Sequence, residues 1–387
     1  MKKAKWLLLC SALLFTLSCE KDSDGQESGP SADAELTGET VDVTGLSGIK
    51  KIFVLSEGGI GSNNACLDML RVEDASYVSN VFNKMNPDIR GGLGDVGNDI
   101  AVIGNEVWMV INNSGLVQVI SARDETAVTD ISVPTPRNLA FDDNYVYVTS
   151  WSGAYASYGS DGSVSGSNPK GKVCRINRKT KQLEDSVVVG YQPEGIACVN
   201  GLLYIANSGG ISSQLAPDYS YDNTVSVVST EPFKLKETIR VEVNLKSVYP
   251  DGDGGVYVTN LGNYWDIHSG LYRIDRSGKV SHIADYVSIS AEKDGTVYWV
   301  GTEDEFVWGD GEKQWKSYSC KGGKVTALNL PVKAAVPYGL CAMDGDTFLL
   351  ADAVDYFNPG TVSLYRSGSL VWTVSAGVCP GQFAIWK

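Results

Sequence analysis

The chain reads as an all-β protein, a seven-bladed β-propeller in which a C-terminal strand closes the first blade. Three observations support this. Short runs rich in Val, Ile, Tyr and Thr recur between Gly, Asn and Asp turns, while helix-period patterns are nearly absent. One strand–turn–strand unit repeats at blade-like spacing. The two ends of the chain carry complementary halves of that unit.

The repeat is a small apolar strand, a tight turn and a second, alternating strand. It appears as Asp99-Ile-Ala-Val-Ile followed by Glu106-Val-Trp-Met-Val-Ile, and as Arg137-Asn-Leu-Ala-Phe followed by Tyr145-Val-Tyr-Val-Thr. Glu194-Gly-Ile-Ala-Cys and Leu202-Leu-Tyr-Ile-Ala repeat it across Asn200-Gly201, a dipeptide that favours a two-residue hairpin because both residues tolerate positive φ. Further copies begin at Lys246, Val287 and Tyr338. Starts at 99, 137, 194, 246, 287 and 338 give steps of 38, 57, 52, 41 and 51 residues, bracketing the ~40–50 residues of a propeller blade. Two more strands follow each pair, such as Thr224-Val-Ser-Val-Val and Lys234 to Val241, completing a four-stranded blade. Gly381-Gln-Phe-Ala-Ile-Trp386 is a first strand with no second, and Lys51-Ile-Phe-Val-Leu55 is a second strand with no first. Pairing them closes the ring and removes an open sheet edge. The count is then seven, with six or eight left open by the irregular stretch from Thr302 to Val332.

Residues 1–18 read as a lipoprotein signal peptide: Lys2, Lys3 and Lys5 precede an apolar run, Trp6 to Leu17, too short for an ordinary transmembrane helix. Leu17-Ser18-Cys19 resembles a lipobox, which makes Cys19 the lipidated residue and anchors the protein to a membrane without spanning it. Residues 19–40, rich in Ser, Gly, Asp and Glu, read as a flexible tether. The propeller then occupies 41–387. An acidic cluster, Glu20-Lys21-Asp22-Ser23-Asp24, resembles the signal that sends Bacteroidetes lipoproteins to the outer face of the outer membrane.

With 46 Asp plus Glu against 32 Lys plus Arg, the chain lacks the basic footprint that phosphate binding needs, and nucleic acid is not an expected partner. Six of the 8 cysteines fall in the mature domain, and spacing does not choose among their pairings. Cys198 and Cys341 lie in apolar strand patterns and read as buried small hydrophobes.

In a propeller the connections between second and third strands share one face with those between blades. Here the former are long: Ser56 to Ala65, Ser150 to Gly171, Asn207 to Asn223, Asn260 to Ser269, Gly301 to Lys313, and Ala353 to Gly360. Long loops in a compact domain are usually functional. They hold Trp151, Tyr155, Tyr158, Tyr219, Tyr221, Tyr264, Trp265, Phe306, Trp308, Tyr356 and Phe357. The inter-blade connections add Tyr191 and Tyr286, with Arg137 and Glu194 just inside the next strands. Tyr and Trp offer stiff, amphipathic contact area at low entropic cost. The expected ligand site is therefore Trp151, Tyr155, Tyr191, Tyr219, Tyr221, Tyr264, Trp265, Trp308 and Tyr356, with Arg137 and His268 as hydrogen-bonding members. The competing reading of each aromatic is local loop packing.

Enzymatic readings find little. The inner-strand starts carry Asp99 and Glu194 beside Arg, Lys, Val, Tyr and Gln, a poor cage for a hard cation. Asp251-Gly-Asp-Gly-Gly lacks the later acidic ligand of a calcium loop and reads as a turn. With 2 histidines and no Cys-x-x-Cys, a zinc site is not expected, and no Gly-x-Ser-x-Gly elbow is found. His282 lies in a strand pattern and reads as structural, while His268 sits beside Tyr264 and Trp265. No catalysis, metal or cofactor is expected.

The run Phe53-Val-Leu-Ser-Glu-Gly58 and the fragments Tyr147-Val-Thr-Ser, Leu203-Tyr-Ile-Ala-Asn207 and Tyr257-Val-Thr-Asn-Leu261 resemble the YncE-like propellers, in particular those on lipoproteins of gut Bacteroidetes. The resemblance extends to the surface lipoproteins of the BtuG group, and it covers nearly all of the mature chain through blade motifs. It implies capture of cobalamin, a corrinoid, as a transported ligand, and transfer to a TonB-dependent outer-membrane transporter. The alternative is a protein- or glycan-binding propeller of another outer-membrane uptake complex.

Overall fold

The computed structural model describes residues 36–215, 220–306 and 313–387. The signal peptide, Cys19 and most of the tether lie outside the described residues, as do Tyr219 and Trp308.

Seven antiparallel sheets form the ring. Their inner and second strands are Gly97–Ile103 and Glu106–Ile111 in blade two, Pro136–Phe141 and Tyr145–Ser150 in blade three, and Pro193–Val199 and Leu202–Asn207 in blade four. Blades five, six and seven continue with Leu245–Pro250 and Val256–Asn260, Ile289–Lys293 and Thr296–Gly301, and Pro337–Ala342 and Thr347–Asp352. Each inner strand of the repeat falls where the sequence pattern places it, within three residues. The irregular stretch after Thr302 resolves into Lys316–Lys321 and Lys324–Ala327, the outer half of blade six. The Asn200-Gly201 turn has both residues at positive φ, 51° and 74°, as a tight hairpin requires.

Blade one holds the closure. Pro380–Trp386 is its inner strand and pairs with Lys51–Ser56 in the register Lys51 to Trp386, Phe53 to Ala384 and Leu55 to Gln382. Cys66–Arg71 and Ser76–Val78 complete the blade. Glu39–Thr40, within the segment read as tether, adds a two-residue strand against Tyr77 and Ser76.

The core explains why the second strands are almost continuously apolar. Among the described residues it divides into seven clusters, one at each junction between neighbouring blades. Side chains alternate across a strand, so in Tyr145–Ser150 the residues Val146 and Val148 pack on blade two. Tyr147, between them, packs on blade four. Thr296–Gly301 divides in the same way, with Val297 and Trp299 toward blade five and Tyr298 and Val300 toward blade seven. Both faces of every blade are buried, so no polar face interrupts the pattern.

In blades three, four, five and seven the polar residue that ends the second strand is a strut. The Ser150 hydroxyl donates to the Pro134 carbonyl, the Asn207 amide donates to Thr224 and accepts from the Gly190 N–H, and the Asn260 amide donates to Val243. Asp352 accepts from the N–H groups of Ala335 and Val336. Each holds the connection that enters its blade or its neighbouring strand. Ser150, Asn207 and Asn260, which end three of the family-like motifs, therefore serve the fold.

All six mature-domain cysteines are free thiols, three buried and three half-buried. Cys198 and Cys341, on inner strands, are among the half-buried ones and pack against the clusters between blades three and four and between blades seven and one. Asp251 accepts from the N–H groups of Asp253 and Gly255 and pairs with Arg273, which makes its segment a turn.

Candidate functional site

The long connections do lie between second and third strands, in six of the seven blades; blade two turns tightly from Ile111 to Leu116. They share a face with the inter-blade connections. The residues singled out from sequence do not form one continuous ring. The structure gathers them in three groups.

The first group lies on blades three and four. Arg137 and Glu194 are each the second residue of an inner strand, and neighbouring inner strands run side by side. The Arg137 Nε donates to Glu194 Oε2 at 3.0 Å, and its guanidinium lies 4.6 Å from the ring centre of Trp151. Ion pair and cation–π contact fix the arginine from two sides. The Trp151 indole N–H and the Ser152 hydroxyl beside it are buried without a hydrogen-bond partner among the described residues.

Outside this cluster, Gln192 is fully buried and adopts a left-handed φ of 43°. Its Nε2 donates to Asn168 Oδ1 at 3.0 Å, and its Oε1 accepts from the Ser212 N–H at 3.0 Å. Asn168 Nδ2 donates in turn to the Ser212 hydroxyl at 3.0 Å. This network joins two insertions, the hairpin of Tyr155–Tyr158 with Val164–Ser167 and the short helix Gly210–Leu215. Above it opens a cavity of about 480 Å³ lined by Tyr191, Tyr221, Asn168, Ser212 and Asn223, among others. Asp222 forms its wall and is occupied, accepting from the N–H groups of Tyr191 and Thr224. Lys170 brings its ammonium 5.9 Å from the Tyr191 ring centre. Tyr155 lies exposed on the hairpin.

The second group lies on blades five and six. His268 meets Glu305 through Nδ1 at 3.2 Å, stacks on Phe306 at 4.6 Å and takes Tyr286 edge-on at 4.8 Å. Glu305 also accepts from the Ser269 N–H and hydroxyl. Sequence proximity suggests Tyr264 and Trp265 as the neighbours of His268. The loop instead turns those two outward and sets His268 against the next blade. The third group lies on blades seven and one, where the Tyr338 hydroxyl donates to Glu57 Oε2 at 2.8 Å and the Tyr356 ring stands edge-on to it at 5.8 Å. His282, on the outer strand Val280–Asp285, pairs with Asp285 and is exposed.

Sequence reasoning did not find Gln192, Asn168 or Ser212. Gln192 is 24 residues from one partner and 20 from the other, with no periodic pattern linking them. No group of three or more His, Cys, Asp or Glu is arranged to hold a metal among the described residues.

At the hub, Asp99 accepts from the Leu139 and Ile100 N–H groups. Burial outweighs those bonds and pushes its carboxyl up from 3.8 to about 6. A folded acid with a raised pKa holds its proton longer than the unfolded chain. Stability therefore falls as pH rises through the window from 3.8 to about 6. With partial solvent contact the loss is on the order of 2 kcal/mol. Urea unfolding at pH 4 and pH 7 should show this fall in the wild type and a smaller one in Asp99→Asn. Identical pH dependence of the two would remove Asp99 as its source.

No family model matches the chain, and no curated protein does. Solved structures do. The chain is similar to hydrazine synthase from Kuenenia stuttgartiensis, with 18% identity over 74% of this chain and 88% of that one and a TM-score of 0.55. It is also similar to a functionally unknown protein from Desulfotomaculum acetoxidans DSM 771, at 12% identity, 86% and 98% coverage and a TM-score of 0.58. A streptogramin B lyase matches at 10% identity, 74% and 86% coverage and a TM-score of 0.52. At these identities the likeness is one of fold. Fold and site together define a seven-bladed β-propeller with a ligand-sized cavity on its elaborated face. Enzymes occur among its structural neighbours, so the fold itself leaves catalysis open.

Proposed function

We propose that this propeller is a non-catalytic capture protein, a lipid-anchored lipoprotein of the outer cell surface that takes up a corrinoid and hands it to a TonB-dependent transporter. The observation that carries the reading is the cavity of about 480 Å³ between blades three and four. Its volume falls within the ~300–1,000 Å³ of ligand pockets, and it combines tyrosine rings with amide and hydroxyl groups. A corrinoid presents that complement, an extended apolar ring system fringed with carboxamides. It is larger than the cavity, so one sector enters while the rest crosses toward Trp151 and Arg137. The lipobox-like Cys19 and the motifs shared with YncE-like propellers support the location and the cargo.

Purified protein mixed with cyanocobalamin should carry red colour through a desalting column. A colourless protein fraction would end the corrinoid reading. Tyr191→Ala and Tyr221→Ala should each weaken binding by about tenfold or more, as truncation of a central aromatic contact does. Full affinity in both variants would move the site elsewhere. The same lining of tyrosines and neutral amides favours one second reading, a glycan-binding propeller of another uptake complex. Calorimetric titration with neutral oligosaccharides, showing binding that Tyr221→Ala abolishes, would establish it instead.

A further inference from the structure

A second cavity, of about 90 Å³, opens between blades five and six, and no residue lines both it and the cavity of blades three and four. Strand alternation builds its walls. Trp299, on the second strand of blade six, lies opposite Tyr318 on the third, and the two rings stack at 5.4 Å. Val325 on the fourth strand and Ala284 on the outer strand of blade five extend these walls, which are largely apolar. At the mouth stand the exposed side chains of Asp285, Glu303 and Lys316. Lys316 is paired with Glu303 at 2.6 Å, and Asp285 with His282 at 2.9 Å.

One polar group in this cavity has no partner. Trp299 is 1% exposed, and its indole N–H meets no hydrogen-bond acceptor among the described residues. A buried indole N–H ordinarily finds one. Trp108, equally buried on the second strand of blade two, does so by donating to Glu106 Oε2 at 3.1 Å. An unpaired buried donor costs its full desolvation, a penalty that an incoming acceptor removes. Water is a poor occupant, because it needs several polar partners and apolar walls leave it short of them.

We propose that this cavity binds an acetamido group, whose carbonyl oxygen accepts from Trp299 Nε1 and whose methyl packs among the apolar walls. The volume suits a small group: it exceeds the ~10–15 Å³ that one water requires and falls below the ~150 Å³ that holds benzene. Charge excludes the alternatives. A carboxylate would enter past Asp285 and Glu303, with the Lys316 ammonium already taken. An ammonium would find a donor where it needs an acceptor, and an alkyl group would leave that donor unpaired. Acetamido groups are carried by N-acetylated sugars and by N-acetylated amines, and the mouth, with two carboxylates and an ammonium, offers hydrogen bonds to what bears them.

The test is a titration of the purified protein with its tryptophan indoles labelled with nitrogen-15. The indole N–H signal that is lost in Trp299→Phe should move saturably with N-acetylglucosamine, and glucose and acetate should leave it in place. Nε-acetyl-lysine, run in parallel, separates the two sources: the tighter ligand of the two names the carrier, and binding of either supports the site. Val325→Phe, which narrows the cavity from the outermost strand, should weaken binding by at least about tenfold. Calorimetric titration of the wild type and Val325→Phe makes the same comparison where Trp299→Phe does not fold. Tyr221→Ala should leave the affinity unchanged. No movement with either acetamide, an equal movement with glucose or acetate, or full affinity in Val325→Phe would overturn the proposal. Loss of binding in Tyr221→Ala would also overturn it, by assigning the acetamide to the cavity of blades three and four. A colourless cyanocobalamin eluate would leave the proposal standing, since it does not depend on the corrinoid.

Discussion

Deletion of residues 380–387 leaves a chain with no cooperative unfolding transition. Pro380–Trp386 is the inner strand of blade one, and its loss strips the backbone partners from Lys51–Ser56, a strand whose six residues are all buried. It also removes Ala384 from the cluster between blades one and two, and Phe383 and Ile385 from that between blades seven and one. Buried backbone groups without partners are among the costliest defects a fold can carry. Two of the seven junctions open together, so the loss is comparable to the ~5–15 kcal/mol that holds a whole domain. Circular dichroism during heating should show a broad, early loss of signal. A synthetic peptide covering 380–387, added in trans, should restore part of the transition. A sharp transition in the truncated chain at the wild-type temperature would mean that the ring does not depend on this closure.

The second large effect comes from one methyl group. Gly301→Ala should cost more than ~3 kcal/mol or abolish soluble expression, by overpacking against backbone that cannot retreat. A Cβ at Gly301 would overlap the Tyr286 carbonyl oxygen. Tyr286 cannot yield readily: its N–H donates to the Ser269 carbonyl at 2.7 Å, and its φ of 64° already lies in the left-handed region. Gly301 ends a second strand, the position held by Ser150, Asn207, Asn260 and Asp352 in other blades. Where those blades use a polar strut, blade six brings the incoming connection directly onto the strand. Gly345→Ala is the control, since nothing lies within 4 Å of the added carbon, and it should change stability by less than ~0.5 kcal/mol. Equal melting temperatures for the two variants would contradict this account of blade six.

Legible in the sequence were the blade repeat, its second strands, the Asn200-Gly201 hairpin and the pairing of the Lys51 to Leu55 segment with the C-terminal strand; the structure settles the count at seven and sets the register of the closure. Those features are legible because they are local and periodic. A side chain every second residue must find one of two neighbouring blades, and at the tight Asn200-Gly201 turn an asparagine and a glycine take the positive φ. The sequence also marked the face that carries the elaborate connections. Tertiary structure alone decided how the residues on that face are divided. It set Arg137 on Glu194 and Trp151, gave Tyr191 and Tyr221 a common cavity, turned His268 away from Trp265, and left Trp265 and Phe357 projecting. The loops have no period, and their partners lie tens of residues away on the next blade. A side chain's direction there is fixed by which neighbour the closed ring brings within hydrogen-bonding distance, a fact that no local pattern records.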